Sequence, residues 1–206
     1  YPDYRLPDLL CDLAAIPGLR WIRTLYSYPE RIDDRLIEAV ATHENLLRYF
    51  DIPIQHIDDI VLRRMNRKTT GEEIRAVIRR IRSRMPDAIL RTTLIAGFPG
   101  ETEEAYAKLM DFVAESRFDR LGCFAYSIEE GTPAAKLPDQ LEEEVKRHRA
   151  DMIMERQMLV AAELGSSRVG QTLEVLIEGK DEDGGYLGRS RMDAPEIDGQ
   201  VYIRTN

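Results

Sequence analysis

The chain has few of the residues that build metal centres and disulfide frameworks: its 206 residues include only two cysteines and three histidines. Cys11 and Cys123 lie far apart, without C-x-x-C or Cys/His spacing, so both read as packing residues and no metal site is indicated. No apolar run approaches the ~18 residues of a membrane span. The opening Tyr-Pro-Asp-Tyr-Arg-Leu-Pro-Asp lacks the basic-then-apolar order of a signal segment, and the default expectation is cytoplasm. Excess positive charge is also lacking. With 29 basic against 37 acidic residues the net charge is -8, which argues against a general affinity for nucleic acid or anionic membranes but permits a local basic patch. Internal repeats and low-complexity tracts are absent.

What is present is an alternation of strand and helix signals. Strand-like segments at Trp21 to Ser27, Tyr49 to Ile54, Ile89 to Ala96 and Phe118 to Tyr126 are separated by amphipathic helical stretches, which predicts a parallel α/β sheet or barrel. A helix over Leu6 to Ala15 precedes them. Asp33 is placed to cap a helix stapled by Ile32 and Ile37, and Thr70 with Glu73 forms a capping box. After Gly131-Thr-Pro133 and Pro138, one long charged helix is expected from Asp139 to about Leu164, ended by Gly165-Ser-Ser167. From Arg168 the helical period disappears. Gln171 to Glu178 and Gly185 to Ser190 predict a hairpin through Asp183-Gly184-Gly185, and Val201 to Ile203 a further strand. About 39 residues of β pattern is small for an independent domain, and the visible strands are too few to close an eight-stranded barrel, so a longer parent chain is expected.

The most informative stretch is Arg91 to Tyr106, a strand, a two-glycine turn and an acid-capped helix in succession. Arg91 and Thr93 occupy one alternate strand face where a core strand would carry aliphatics, and Asp51, Pro53 and Gln55 form a matching polar face on the preceding strand. Asp51 and Arg91 suit either an ion pair that fixes packing or a site role. Gln55 ends its strand, where α/β proteins bind ligands. The turn Gly97-Phe-Pro-Gly100 is neither a Walker loop nor a dinucleotide fingerprint. Glu101, Glu103 and Glu104 place negative charge at the positive end of the following helix, so a cationic or zwitterionic ligand is favoured over an anionic one. Arg63 to Arg84 holds nine basic residues against two acids, a pattern more often a solvated helix face than an RNA surface. Arg67, in a loop, is the least ordinary of them. His43 and His148 fall in helical surface patterns, and only His56 is placed to touch a ligand.

Taken together, Asp51-Ile-Pro-Ile-Gln-His56, Arg64-Met-Asn-Arg67, Leu94-Ile-Ala-Gly-Phe-Pro-Gly-Glu-Thr-Glu-Glu104 and Tyr126-Ser-Ile-Glu-Glu-Gly-Thr-Pro-Ala134 closely resemble the radical S-adenosylmethionine methylthiotransferases over nearly the whole chain. Within that family, Gly188-Arg-Ser190 followed by Asp193-Ala-Pro-Glu-Ile-Asp-Gly199 is similar to the branch that modifies the β carbon of an aspartate in the twelfth small-subunit ribosomal protein. The tRNA-modifying branch usually has an asparagine-rich sequence there.

The resemblance implies an α/β fold: a partial TIM-barrel-like radical S-adenosylmethionine (SAM) domain over residues 1–167, then a small, incomplete β-rich TRAM (OB-like) domain over 168–206. It implies SAM and two 4Fe-4S clusters in a full-length enzyme, one cluster cleaving SAM to a radical that abstracts hydrogen and the other linked to sulfur delivery, with an external electron donor. The C-x-x-x-C-x-x-C motif and the amino-terminal cluster domain are not in this chain. It is therefore expected to ligate neither cluster, to carry no catalytic acid or base, and to be inactive alone. The matched motifs imply that Gln55, Arg91, Thr93, Gly97, Phe98 and Tyr126 line the SAM side of the barrel. Arg67, Glu196 and Asp198 are expected to dock the substrate. Residues 168–206 carry five bases and eight acids, a balance that suits a basic ribosomal protein, free or in the small subunit, better than RNA. A tRNA adenosine methylthiotransferase of the same fold, or a non-catalytic substrate-docking fragment, is the alternative.

Overall fold

Four short strands that alternate with helices can bury their apolar face only by lying side by side under those helices, and this is the arrangement in the computed structural model, which describes residues 3–182 and 184–204. Helix α1 (Leu6–Ala14) leads into β1 (Ile22–Thr24), α2 (Asp34–Thr42), β2 (Leu46–Asp51), α3 (Asp59–Arg64), α4 (Gly71–Arg84), β3 (Ile89–Ala96), α5 (Glu103–Ser116), β4 (Arg120–Ala125) and α6 (Glu143–Ser166). Strands β1 to β4 form one parallel sheet in sequence order. A three-stranded antiparallel sheet of β5 (Val175–Lys180), β6 (Tyr186–Ser190) and β7 (Val201–Ile203) follows. The fold is thus α/β with a second, small all-β sheet, as the sequence predicts.

One face of the parallel sheet is the main core. Leu46, Phe50, Leu90, Leu94 and Ala96 meet Ile37 and Val40 of α2, Ile74, Ile78 and Ile81 of α4, Leu109 and Phe112 of α5, and Ile153 of α6. Each such large side chain, fully buried, contributes about 1.5–3 kcal/mol. The caps expected from sequence are present: Asp33 accepts from the Leu36 amide, and Thr70 and Glu73 form a reciprocal box.

Several boundaries differ, for local reasons. Strand β2 ends at Asp51, and the Ile52 amide makes a last bond to the Arg91 carbonyl at 2.8 Å before Pro53. Pairing resumes only at Gln55, an isolated bridge to Leu94. The long helix starts at Glu143, not Asp139, since Asp139 is left-handed (φ 63°) and its carbonyl accepts the Gly100 amide. At its other end Gly165 stays helical, and the hydroxyls of Ser166 and Ser167 return to the carbonyls of Ala162 and Leu164. In the β5–β6 connection the Gly185 amide donates to Asp181, while Asp183 lies outside the described residues. The basic run folds into α3 and α4 and meets acids of neighbouring helices: Arg75 with Glu115, Arg80 with Asp34, Arg84 with Glu38. Those pairs offset three of its nine basic charges. Cys11 and Cys123 are partly buried against the main core.

Candidate functional site

The other face of the parallel sheet is built in layers, because strand register places inward residues level with one another. Tyr49 pairs with Ile89 at the bottom. Above them Asp51, Arg91 and Arg120 are level, then Thr93 and Gly122, then Ile95 and Phe124. The polar strand face read from Asp51, Arg91 and Thr93 is therefore real.

The upper layers open at the carboxyl edge of the sheet. Gln55 sits there in a left-handed conformation (φ 71°), held by its amide to the Thr93 carbonyl at 2.9 Å and by the Ile95 amide to its own carbonyl at 2.9 Å. Its side-chain Oε1 is enclosed without a hydrogen-bond partner. A glutamine in this conformation is strained, and such strain clusters at ligand sites. Beside it Gly122 leaves space: a Cβ there would meet only the Phe124 ring, at 3.8 Å. Phe124 is 63% exposed. An orphaned amide oxygen, the Thr93 hydroxyl and a gap over Gly122 make an edge able to take a ligand that carries hydrogen-bond donors.

Phe98 and Tyr126 occupy a different position. Their rings meet edge to face at 5.0 Å, and Val61, Ala105, Ile95 and Leu137 enclose them. They form the wall behind Ile95. Gly97 (φ 73°) turns the chain where α6 passes, and a Cβ on it would lie 2.5 Å from Lys146 Cγ. Arg67 lies on the same edge, its guanidinium 5.2 Å from the Tyr28 ring centroid.

The acid-capped turn departs from its sequence reading. Glu101 is buried: it accepts the Gly97 amide at 3.0 Å, Arg149 Nη1 at 2.7 Å and His56 Nε2 at 3.1 Å. Because the Asp58 amide donates to His56 Nδ1 at 3.0 Å, the ring proton is on Nε2 and points at Glu101. Glu103 pairs with Arg149 as well. Neither Glu101 nor His56 therefore faces a ligand, since both close the turn from inside. Glu101 therefore gives no preference for a cationic ligand, while Glu103 and Glu104 remain exposed.

The lower layers are closed by the β6–β7 loop. Met192 and Ala194 pack on Trp21, Leu47, Tyr49 and Ile89. The Asp198 side chain is 2% exposed, accepts the Tyr49 hydroxyl at 2.6 Å, and lies 3.8 Å from Arg91 Nε and 3.7 Å from Arg120 Nε. Asp193 accepts Arg120 Nη2 at 2.7 Å. Burial, then the Asp198 carboxylate, push the Tyr49 phenol far above its ordinary range. The expectation that Asp198 is an exposed docking carboxylate is thus corrected, because it neutralises arginines on the floor of the sheet. Glu196 is exposed and Arg67 half-exposed. Of the two roles open to it Arg91 takes the ion pair with Asp51, at 3.3 Å, and lies between that floor and the upper layers. Sequence reading missed Tyr49, Arg120 and Asp193. The alternation Arg120-Leu-Gly-Cys-Phe124 was the available signal for Arg120.

Among the described residues no group of three or more His, Cys, Asp or Glu side chains comes together as a metal site, and no helix is long and apolar enough to cross a membrane. The residues here do not fit a cluster.

Residues 3–113 match the family model of the Radical SAM superfamily, and residues 169–206 match that of the TRAM domain. The chain is 52% identical over 205 residues to the ribosomal protein uS12 methylthiotransferase RimO of Clostridioides difficile, covering 100% of this chain and 46% of that protein. It is 50% identical over 207 residues to the protein of the same name from Alkaliphilus oremlandii, covering 100% and 47%. The chain thus spans about half the length of the curated relatives it matches. Among solved structures, coproporphyrinogen III oxidase HemN of Escherichia coli, described as a radical SAM enzyme, superposes with a TM-score of 0.56 at 23% identity, covering 68% of this chain and 32% of that one. Parallel sheet and sequence agree: the chain belongs to the radical SAM superfamily, carries a TRAM domain after its radical SAM part, and is similar along its whole length to the uS12 methylthiotransferases.

Proposed function

We propose that this chain is the part of a methylthiotransferase that forms one wall of the SAM site and carries the substrate-docking domain, with residues 1–167 as the barrel portion and 168–206 as the TRAM domain. The target is an aspartate side chain of ribosomal protein uS12. The observation that carries this reading is identity of 48–52% to uS12 methylthiotransferases over 96–100% of the chain.

Gln55 and Thr93 would hold SAM at the carboxyl edge, with Gly97 setting the turn beneath it and Phe98 and Tyr126 keeping the wall dry. Arg91 would act from one layer lower by fixing Asp51. The cofactors supply radical chemistry, which is what an unactivated β carbon requires. These residues bind, orient and exclude water, and no acid or base among them is needed. Cluster ligands come from outside the described residues.

The test uses a full-length enzyme containing this sequence, reconstituted anaerobically and supplied separately with uS12 and with tRNA. Gain of one methylthio group on a uS12 aspartate is the expected result. Modification of tRNA alone would establish the tRNA methylthiotransferase instead. In the same enzyme Gln55→Ala should weaken SAM binding in equilibrium dialysis at unchanged iron content, and unchanged binding removes Gln55 from the site.

A further inference from the structure

The β6–β7 loop does more than cover the bottom of the sheet, because its carboxylate begins an unbroken polar chain that ends at the ligand edge. Asp198 lies 3.8 Å from Arg91 Nε. On its other side Arg91 donates from Nη1 to Asp51 Oδ2 at 3.3 Å. The same Asp51 oxygen accepts the Tyr26 backbone amide at 3.3 Å, and the Asp51 carbonyl accepts the Ser27 amide at 2.8 Å. Tyr26 follows β1 at the carboxyl edge, is 68% exposed, and is held left-handed at φ 58°.

A tyrosine adopts that conformation only where surrounding bonds over-determine it. Here those bonds come from Asp51, which is almost wholly buried, and whose orientation depends on one arginine. In this cluster Arg91 and Arg120 face Asp51, Asp193 and Asp198, and Arg23 stacks on the Tyr49 ring at 4.5 Å. Removing the Asp198 charge leaves Arg91 with Asp51 alone and Arg120 with Asp193. In a low-dielectric layer the arginines then re-aim toward the remaining carboxylates. Asp51 Oδ1 and the Nε atoms of Arg23 and Arg120 are enclosed without hydrogen-bond partners, so the cluster has alternative pairings within reach.

We propose that Asp198 is a positioning residue for the ligand edge: through Arg91 and Asp51 it sets the conformation of Tyr26, so that the seating of the TRAM loop is transmitted to the rim of the radical SAM sheet. The proposal rests on the packing of the two sheets alone and holds whichever macromolecule the TRAM domain docks. Its consequence is that a partner pressing on the exposed segment around Glu196 and Ile197 acts on the same loop that anchors Asp198.

The test is amide-resolved hydrogen exchange and ¹H–¹⁵N chemical shift in the full chain. Asp198→Asn keeps the volume and removes the charge. It is expected to speed exchange of the Tyr26 and Ser27 amides at least about tenfold and to shift the Tyr26 resonance, while the capping amides of Leu36 and Ala105 stay unchanged. Tyr49→Phe removes one hydrogen bond to Asp198 without touching Arg91, Asp51 or Tyr26. This milder variant is expected to move the same two amides in the same direction by a few-fold, and it decides the matter if Asp198→Asn does not fold. If either folded variant perturbs Ala194 and its neighbours but leaves the Tyr26 and Ser27 amides within twofold of wild type and the Tyr26 shift in place, the loop is only a cover and the proposal is overturned.

Discussion

Three glycines with positive φ allow the turn beneath the candidate site to be tested by subtraction. Gly97, Gly100 and Gly131 have φ of 73°, 83° and 83°, so an alanine at each pays a left-handed penalty of about 1–2 kcal/mol. That penalty is offset by about 0.4–1 kcal/mol from the stiffer unfolded chain. What differs is the surroundings. A Cβ at Gly131 meets nothing within 4 Å, one at Gly100 meets the Arg64 guanidinium at 2.1 Å, and one at Gly97 meets Lys146 Cγ at 2.5 Å and Cα at 2.9 Å. Gly131→Ala should therefore cost about 1 kcal/mol, the bare conformational term. Arg64 can swing away at the loss of its bonds to the Pro99 carbonyl and Asp139, so Gly100→Ala should cost about 1–2 kcal/mol. The Lys146 backbone cannot yield without moving α6, and overpacking adds about 1–3 kcal/mol, which puts Gly97→Ala at about 2–4 kcal/mol. Urea unfolding followed by far-ultraviolet circular dichroism gives the three values, with an unchanged m-value as the check that the unfolded reference is shared. Equal costs for Gly97→Ala and Gly131→Ala would refute the close approach of α6 to the turn.

Further outcomes follow from the titratable and sulfur groups. Burial raises the Asp58 carboxyl, but Lys108 and the Ile60 and Val61 amides outweigh it and hold the group below its ordinary value. Its stabilisation is complete above the unfolded carboxyl range and lost as pH falls through the folded value. Asp58→Asn should thus cost about 1 kcal/mol near pH 7, and the gap should narrow as pH falls through the folded value and close below it. A pH-independent gap contradicts the assignment. Burial and then Glu101 push the Cys123 thiol up to about 12, so iodoacetamide at pH 8 should alkylate Cys123 only on unfolding, read by peptide mass spectrometry. Prompt native-state labelling would show that the β4–α6 contact opens. Anaerobic reconstitution of this chain with iron and sulfide should give no stoichiometric cluster absorbance, since it has two cysteines and no three-residue metal group among the described residues, and a well-formed cluster would overturn that.

The strand-helix alternation was legible in sequence because apolar period and capping chemistry are local. Asp33, Thr70 and Glu73 cap their helices through atoms three residues away, and the polar alternate face of β3 follows from the period of a strand. The family was legible too, through motifs that lie on the loops at one sheet edge. What the linear order does not contain is the partner each charge meets. Glu101 looked like a helix-terminal charge open to ligand until α6, some fifty residues on, brought Arg149 onto it. Asp198 looked like a surface acid until the β6–β7 loop folded under the parallel sheet and set it against Tyr49, Arg91 and Arg120. Gln55 was correctly placed at a strand end, but its left-handed backbone and orphaned oxygen depend on pairing across Pro53 with β3. Local propensity determines where elements begin and which face is apolar. Whether a charged side chain ends in solvent, in a site or in a buried pair is decided by desolvation among elements distant in sequence.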